Sequence, residues 1–165
     1  MTKLKLGMIG GGHGAFIGGV HRIASRIDDH YELVAGSLAS KPDLAHSSAK
    51  DLGIDEDRSY SSYKEMADKE SARDDGIDVA AIVTPNHLHY PIAEVFLKKG
   101  IHVICDKPLT HNLDDAKKFY DCVKNSKALF ALTHNYTGYP MVRQAREMFQ
   151  SGEIGNLRII QVEYA

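Results

Sequence analysis

Short, almost wholly apolar runs alternate along this chain with longer segments of helical periodicity, and this alternation limits the possible folds more than any other feature. Such runs are typical of strands buried on both faces of a parallel sheet, whose neighbours are joined by helical crossovers. The predicted strands are residues 4–9, 31–38, 77–83, 101–105, 128–132 and 157–162. The predicted helices are residues 18–26, 43–52, 62–71, 89–99, 113–125 and 140–151. We therefore predict an α/β fold with a doubly wound parallel sheet.

Composition excludes several classes of protein. A length of 165 residues with 43% hydrophobic and 25% charged residues suits one ordinary globular domain. The formal net charge of -2 argues against a nucleic-acid partner bound through a basic face. Cys105 and Cys122 lie in apolar segments without a Cys-x-x-Cys spacing, so we expect free thiols and no metal site. Without a signal-like or membrane-spanning apolar run, the expected location is cytoplasmic.

A glycine-rich loop follows the first predicted strand. A dinucleotide fold needs a tight turn, room for the backbone to approach a pyrophosphate, and close packing of helix on strand. Gly10 and Gly12 suit the first two needs. The third position is either Ala15, at the strict spacing, or Gly18, with three residues inserted; we include Gly18 in the predicted site. No Gly-Lys-Ser/Thr follows, which excludes a P-loop.

The end of the second predicted strand bears on the choice between NAD and NADP. A ribose-binding carboxylate is expected about 20 residues after the third glycine. Counting from Gly18 leads to Ser37, which cannot repel a 2′-phosphate. Ser37, Ser40 and Lys41 are instead possible donors to a 2′-phosphate. The predicted cofactor is NAD or NADP, and this pattern favours NADP.

Polar segments also follow three later strands, where ligands bind in open parallel sheets. They are Thr84-Pro85-Asn86-His87-Leu88-His89, Asp106-Lys107-Pro108 and His134-Asn135-Tyr136. Lys107 is the predicted catalytic residue, because an amine there can exchange a proton with a substrate oxygen. Predicted cofactor contacts among these segments are Thr84, Pro85, Asn86, His89, Asp106, Pro108 and Asn135.

These motifs together resemble the N-terminal part of the Gfo/Idh/MocA oxidoreductases. The resemblance rests on the loop of Gly10, Gly12 and Gly18 followed by His21, on TPNHLH at 84–89, on DKP at 106–108, on Asn135, and on PMVRQAREMFQSGEIGNLR at 140–158. It implies a Rossmann-type domain in an NAD(P)-dependent enzyme that transfers a hydride to or from a sugar, polyol or related hydroxyl or carbonyl compound.

The resemblance also assigns roles to individual residues. Lys107 matches the lysine of the family's Glu-Lys-Pro motif, which contacts substrate and assists proton transfer, while Asp106 replaces the usual glutamate. Asn86 and His89 match the cofactor-side motif. Asn135 matches an asparagine that opens an Asn-x-Arg-Phe segment, but the arginine and phenylalanine are missing from this chain.

Family members continue into a second, open-sheet domain that completes the active site and builds a homo-oligomer. We accordingly predict a dinucleotide-binding domain at 1–155 and, at 156–165, the first strand of a truncated second domain. The isolated chain is then expected to bind cofactor without full activity. The alternative is a non-catalytic dinucleotide-binding module or sensor, since the same fold serves both roles.

Overall fold

The computed structural model describes residues 2–163, and its centre is a five-stranded parallel sheet. The strands are β1 (Leu4–Gly10), β2 (Tyr31–Ser37), β3 (Val79–Val83), β4 (His102–Asp106) and β5 (Phe130–Thr133). Their order is β2-β1-β3-β4-β5, and every neighbouring pair is parallel. The predicted α/β class and Rossmann-type sheet are therefore confirmed.

Six α-helices connect or follow the strands in the described residues. They are α1 (Phe16–Ile27), α2 (Pro42–Asp51), α3 (Tyr63–Ser71), α4 (His89–Lys98), α5 (Leu113–Asn125) and α6 (Pro140–Gln150). Local signals in the sequence account for several ends. The Asn112 side chain accepts from the Asp115 amide at the start of α5, and Gly100 has a φ of +78° just after α4.

Alternating residues of β3 enter two separate hydrophobic clusters, which explains why this strand is apolar throughout. Ala80 and Ile82 belong to the larger cluster, together with residues of α3, α4 and α5. Val79, Ala81 and Val83 belong to the smaller one, against which Ile17 of α1 packs. Helices therefore cover both faces of the strand, as a doubly wound sheet requires.

A buried polar cluster lies beside the amino end of β3. The Glu70 carboxylate on α3 accepts from the Arg58 guanidinium, from the Tyr60 hydroxyl at 2.7 Å, and from the Ile77 amide at 3.1 Å. Arg58 is 6% exposed and Glu70 1% exposed. Burial, with the hydrogen bond to Glu70 second, raises the pKa of Tyr60 above its ordinary value. The buried polar groups of this cluster are therefore hydrogen-bonded to one another.

The chain divides between Thr133 and His134 into two compact units. The second contains a short 3-10 turn, Asn135–Gly138, and α6. Residues 157–162, predicted as a strand, form none in the described chain, because a strand exists only when another strand pairs with it. Tyr164 and Ala165 lie outside the described residues. The predicted domain boundary at 155 stays a prediction.

Candidate functional site

The carboxyl ends of β1, β3 and β4 lie side by side, and this arrangement brings together motifs that are distant in sequence. Gly10 of β1 pairs with Val83 of β3, and Ile82 of β3 pairs with Cys105 of β4. The glycine loop, Thr84 and Asp106 consequently follow neighbouring strands at one edge of the sheet. This edge is where parallel sheets bind ligands, and we refer to it as the crevice edge.

The glycine loop depends on close backbone contacts. Gly10 has a φ of +80°, and a Cβ there would lie 2.9 Å from the Val83 carbonyl oxygen. At Gly18 a Cβ would lie 2.4 Å from the Gly11 Cα. Ala15 instead precedes α1 and is exposed. Gly18 therefore fills the position of close helix packing that the sequence left open between these two residues.

The loop is tied to β2 and α2 on its other side. The Gly12 amide donates to the Leu38 carbonyl at 3.0 Å, and the His13 amide donates to the Ser48 hydroxyl at 3.0 Å. A cavity of about 390 Å³ lies beside residues 11–16. No side chain caps the start of α1, and its first turn contains no acidic residue. The positive end of the α1 dipole is therefore available to an anion.

Thr84, which follows β3, has a buried hydroxyl without a hydrogen-bond partner anywhere in residues 2–163. Its Cγ2 would be 3.1 Å from a Cβ at Gly10, so the side chain lies directly against the loop. Leaving a buried hydroxyl unpaired costs about 1–3 kcal/mol. Such a group is expected where a ligand supplies the missing partner.

Lys107 is exposed, and the residues on both sides of it are anchored. Asp106 accepts from the Thr133 hydroxyl at 2.8 Å, and its carboxylate lies 3.6 Å from His21 Nε2. The Pro108 carbonyl oxygen lies 2.7 Å from His89 Nδ1. The Lys107-Pro108 peptide bond is cis. The contacts of Asp106 and Pro108 hold the backbone that carries Lys107 at the crevice edge.

His89 lies between the segments that follow β3 and β4. Its side chain is fully buried, and its second ring nitrogen, Nε2, lies 3.0 Å from the Thr84 carbonyl oxygen. The ring therefore bridges the two segments through the Thr84 and Pro108 carbonyl oxygens. Its predicted cofactor contact stays a prediction.

The other predicted site residues lie at three different places in the fold. Pro85 and Asn86 are exposed beside Thr84, where the short 3-10 turn Asn86–Leu88 begins. Ser37 ends β2 and is 6% exposed, whereas Lys41 is exposed directly before α2. Asn135 is exposed in the second unit, within the turn Asn135–Gly138. Its predicted cofactor contact stays a prediction.

Sequence reasoning assigned no role to Gly11, and it included His21 in the glycine-loop motif without predicting its contact. Gly11 is the residue against which Gly18 packs. His21 lies one helical turn after Gly18, so the two share a face of α1. The three-residue spacing from Gly18 to His21 is the signal in the sequence that could have indicated this contact. A helix face that packs on the glycine loop also faces the neighbouring strand ends.

Two further observations limit the chemistry at this edge. Burial raises the pKa of the Cys105 thiol to about 12, so this cysteine next to Asp106 is not a nucleophile near neutral pH. Within residues 2–163, no three His, Cys, Asp or Glu side chains are grouped to hold a metal ion.

No helix in the same part of the chain is both long and apolar enough to cross a bilayer.

Comparison with known proteins places these features in a family. Residues 4–134 match the model of an oxidoreductase family with an NAD-binding Rossmann fold. The levoglucosan dehydrogenase of Pseudarthrobacter phenanthrenivorans is 32% identical over 95% of this chain and 40% of its own length.

Solved structures agree with this result. An oxidoreductase from Sinorhizobium meliloti superposes with a TM-score of 0.92 at 61% identity, covering 96% of this chain and 44% of its own. An inositol dehydrogenase homolog from Azotobacter vinelandii, complexed with NADH and myo-inositol, gives 0.90 at 33% identity over 95% of this chain and 41% of its own. The chain thus spans about two-fifths of these relatives. The chain belongs to the Gfo/Idh/MocA oxidoreductase family and contains its NAD-binding Rossmann domain.

Proposed function

We propose that this chain is the cofactor-binding part of an NAD(P)-dependent dehydrogenase that acts on the CH–OH groups of sugars or polyols. The observation that carries the proposal is the exposed Lys107 amine, anchored on both sides, on the same sheet edge as the glycine loop and the unpartnered Thr84 hydroxyl. Two relatives are named for levoglucosan and inositol, which supports the substrate class.

The residues present fit a dinucleotide. Amides of the glycine loop and of the uncapped start of α1 would hold the pyrophosphate, with Gly10, Gly12 and Gly18 leaving room for it. The orphaned Thr84 hydroxyl would donate to the bound cofactor, with Asn86 and Pro85 next to it. The nicotinamide group supplies the hydride acceptor or donor when it is bound.

Lys107 is assigned the proton transfer. In the oxidation direction Lys107 Nζ takes up the substrate's hydroxyl proton while the adjacent C–H bond gives up its hydride. In the reduction direction the ammonium donates that proton to the carbonyl oxygen. A positioned acid or base of this kind contributes about 10²–10⁴-fold in rate.

The proposal includes a preference for NADP over NAD. Its support is the lack of a carboxylate at the end of β2, where Ser37 stands, and the exposed Lys41 before α2. Named relatives include both an NADH complex and an NADP(+)-dependent D-xylose 1-dehydrogenase. A lysine that contacts a 2′-phosphate strengthens binding of NADP and leaves NAD unaffected.

The activity of the whole protein is part of the proposal, because the chain spans about two-fifths of its relatives. By itself the chain binds cofactor and turns over little. A second domain, of which residues 156–165 would be the first strand, completes the site and forms a homo-oligomer in the cytoplasm, while Asn135 contacts the cofactor.

The test combines calorimetry on this chain with kinetics on the full-length protein that contains it. We expect the chain to bind NADP more tightly than NAD, and Lys41→Ala to remove the difference. In the full-length protein, Lys107→Ala lowers kcat by about 10²–10⁴-fold with cofactor Kd unchanged. Lys117→Ala, an exposed lysine on α5, is the matched control. Unaltered turnover in Lys107→Ala would indicate a non-catalytic module, and a chain that binds neither dinucleotide would refute the whole proposal.

A further inference from the structure

His21 connects the helix that follows the glycine loop to the strand end that precedes Lys107. It lies on α1, and its Nε2 is 3.6 Å from Asp106 Oδ1. The two side chains are only 12% and 17% exposed. A polar contact that is largely shielded from water is screened less by solvent than a surface contact. The contact therefore joins two elements of the site that are 85 residues apart in sequence.

The same carboxylate oxygen is also held from β5. Thr133 is the register partner of Asp106, and its hydroxyl donates to Oδ1 at 2.8 Å. Asp106 is consequently held from two directions, by α1 and by β5. The titratable side chain that contacts this carboxylate from another element is the His21 imidazole, and Lys107 follows Asp106 directly in the chain.

We propose that His21 is a positioning residue for the proposed reaction. It holds Asp106, and through the backbone it holds Lys107, in a fixed position relative to the helix whose start receives the cofactor. The inference rests on the proposed function for its kinetic consequence, since positional errors at a reacting centre reduce rate steeply. Its structural consequence, an ordered segment from Asp106 to Leu109, does not depend on any activity.

The kinetic test uses the full-length protein. His21→Leu lowers kcat on the order of tenfold while the cofactor Kd changes by less than about twofold. The loss is non-additive with that of Asp106→Asn, because both variants break the same contact. His102→Leu, at the opposite end of β4, is the matched control and leaves kcat unchanged. An unchanged kcat, additive losses, or an equal loss of cofactor affinity would each overturn the proposal.

A second measurement separates this proposal from the proposed function. Hydrogen exchange, followed by mass spectrometry on this chain without ligand, becomes several-fold faster in residues 106–109 of His21→Leu, while residues 10–18 exchange as in the wild type. His21→Gln, a milder change, is measured in parallel and takes the place of the leucine variant if that variant folds poorly. We expect a smaller increase in its exchange rate over residues 106–109. Unchanged exchange in both variants refutes the role of His21. A chain that shows this exchange pattern but binds no dinucleotide refutes the proposed function alone.

Discussion

At the amino end of β3, the buried Glu70 carboxylate has partners on several elements, whereas at the carboxyl end the buried Thr84 hydroxyl has none among residues 2–163. Glu70 accepts from Arg58, from Tyr60 and from the Ile77 amide just before the strand begins. Thr84 follows the same strand directly and lies against the glycine loop. The five residues of β3 separate these two sites.

We expect the Glu70 end of β3 to stabilise the fold and the Thr84 end to bind a ligand. A buried charge stays in a fold only when its partners compensate the loss of water, so the Glu70 cluster stabilises the fold only while it is complete. An unpaired hydroxyl, together with backbone kept free of Cβ atoms, destabilises the unliganded chain, and a bound ligand would compensate that loss. Substitutions at the two ends should therefore affect different measurements.

The largest effect is expected from Glu70→Gln. Removing the charge leaves the buried Arg58 guanidinium with only the exposed Asp75 carboxylate, 3.6 Å away, and the free energy of unfolding should fall by about 3–5 kcal/mol. Glu65→Gln, on the same helix but paired with Lys69 at the surface, should change it by less than about 1 kcal/mol. Urea denaturation measures both. Equal losses in the two variants would contradict the difference between the ends of β3.

Gly18→Ala tests the opposite end. The added Cβ would lie 2.4 Å from the Gly11 Cα, so either the loop or α1 must move, at about 1–3 kcal/mol. Cofactor affinity should fall with it. Gly19→Ala is the matched control, because its nearest neighbour is 3.9 Å away in Arg22, and it should stabilise the helix by about 0.5–1 kcal/mol. Thermal unfolding and cofactor titration on both variants decide the point.

Alkaline pH should weaken the amino end selectively. The pKa of Tyr60 is raised in the folded state from an ordinary value of 10.0, so its contribution to stability is fully present below pH 10 and is lost as pH rises above it. The wild type should lose about 1.4 kcal/mol per pH unit more than Tyr60→Phe in that range. Parallel stability curves for the two proteins above pH 10 would show that the phenol titrates normally.

Thr84→Val is expected to change stability least. Its effects on stability and on cofactor affinity should have opposite signs. Exchanging the unpaired hydroxyl for a methyl group should leave the unliganded chain as stable or raise its unfolding free energy by up to about 1 kcal/mol. The same change should weaken cofactor binding by about 1 kcal/mol, a factor of about five. Thr133→Val, which removes the bond to Asp106, should instead lower stability. A destabilised Thr84→Val chain with normal cofactor affinity would mean that the hydroxyl serves the fold.

Most of the fold was predictable because it depends on local patterns. The five apolar runs up to residue 133 became strands β1 to β5 within one or two residues at most boundaries, and Asn112 and Gly100 stand at helix ends, as asparagine and glycine commonly do. The sixth run failed for a physical reason. Residues 157–162 have the composition of a strand, but composition does not provide a pairing partner.

The strand ends that carry the candidate site were predictable, and the contacts of the side chains there were less so. TPNHLH and DKP indicated the correct strand ends, yet His89 is buried between two carbonyl oxygens, and His21 is the histidine that meets Asp106. A sequence shows that a histidine is near a strand end. It does not show which way the ring points, since that is determined by packing against elements distant along the chain.

The sequence by itself determined the sheet class, the glycine loop and the residue types at the strand ends, because each depends on periodicity or on the conformational freedom of glycine over a few residues. Only the tertiary structure decided that Gly18 rather than Ala15 packs on the loop, that the Thr84 hydroxyl has no partner within residues 2–163, and that Asp106 is held from both α1 and β5. These outcomes depend on distances between residues far apart in the chain, which strand order and register establish.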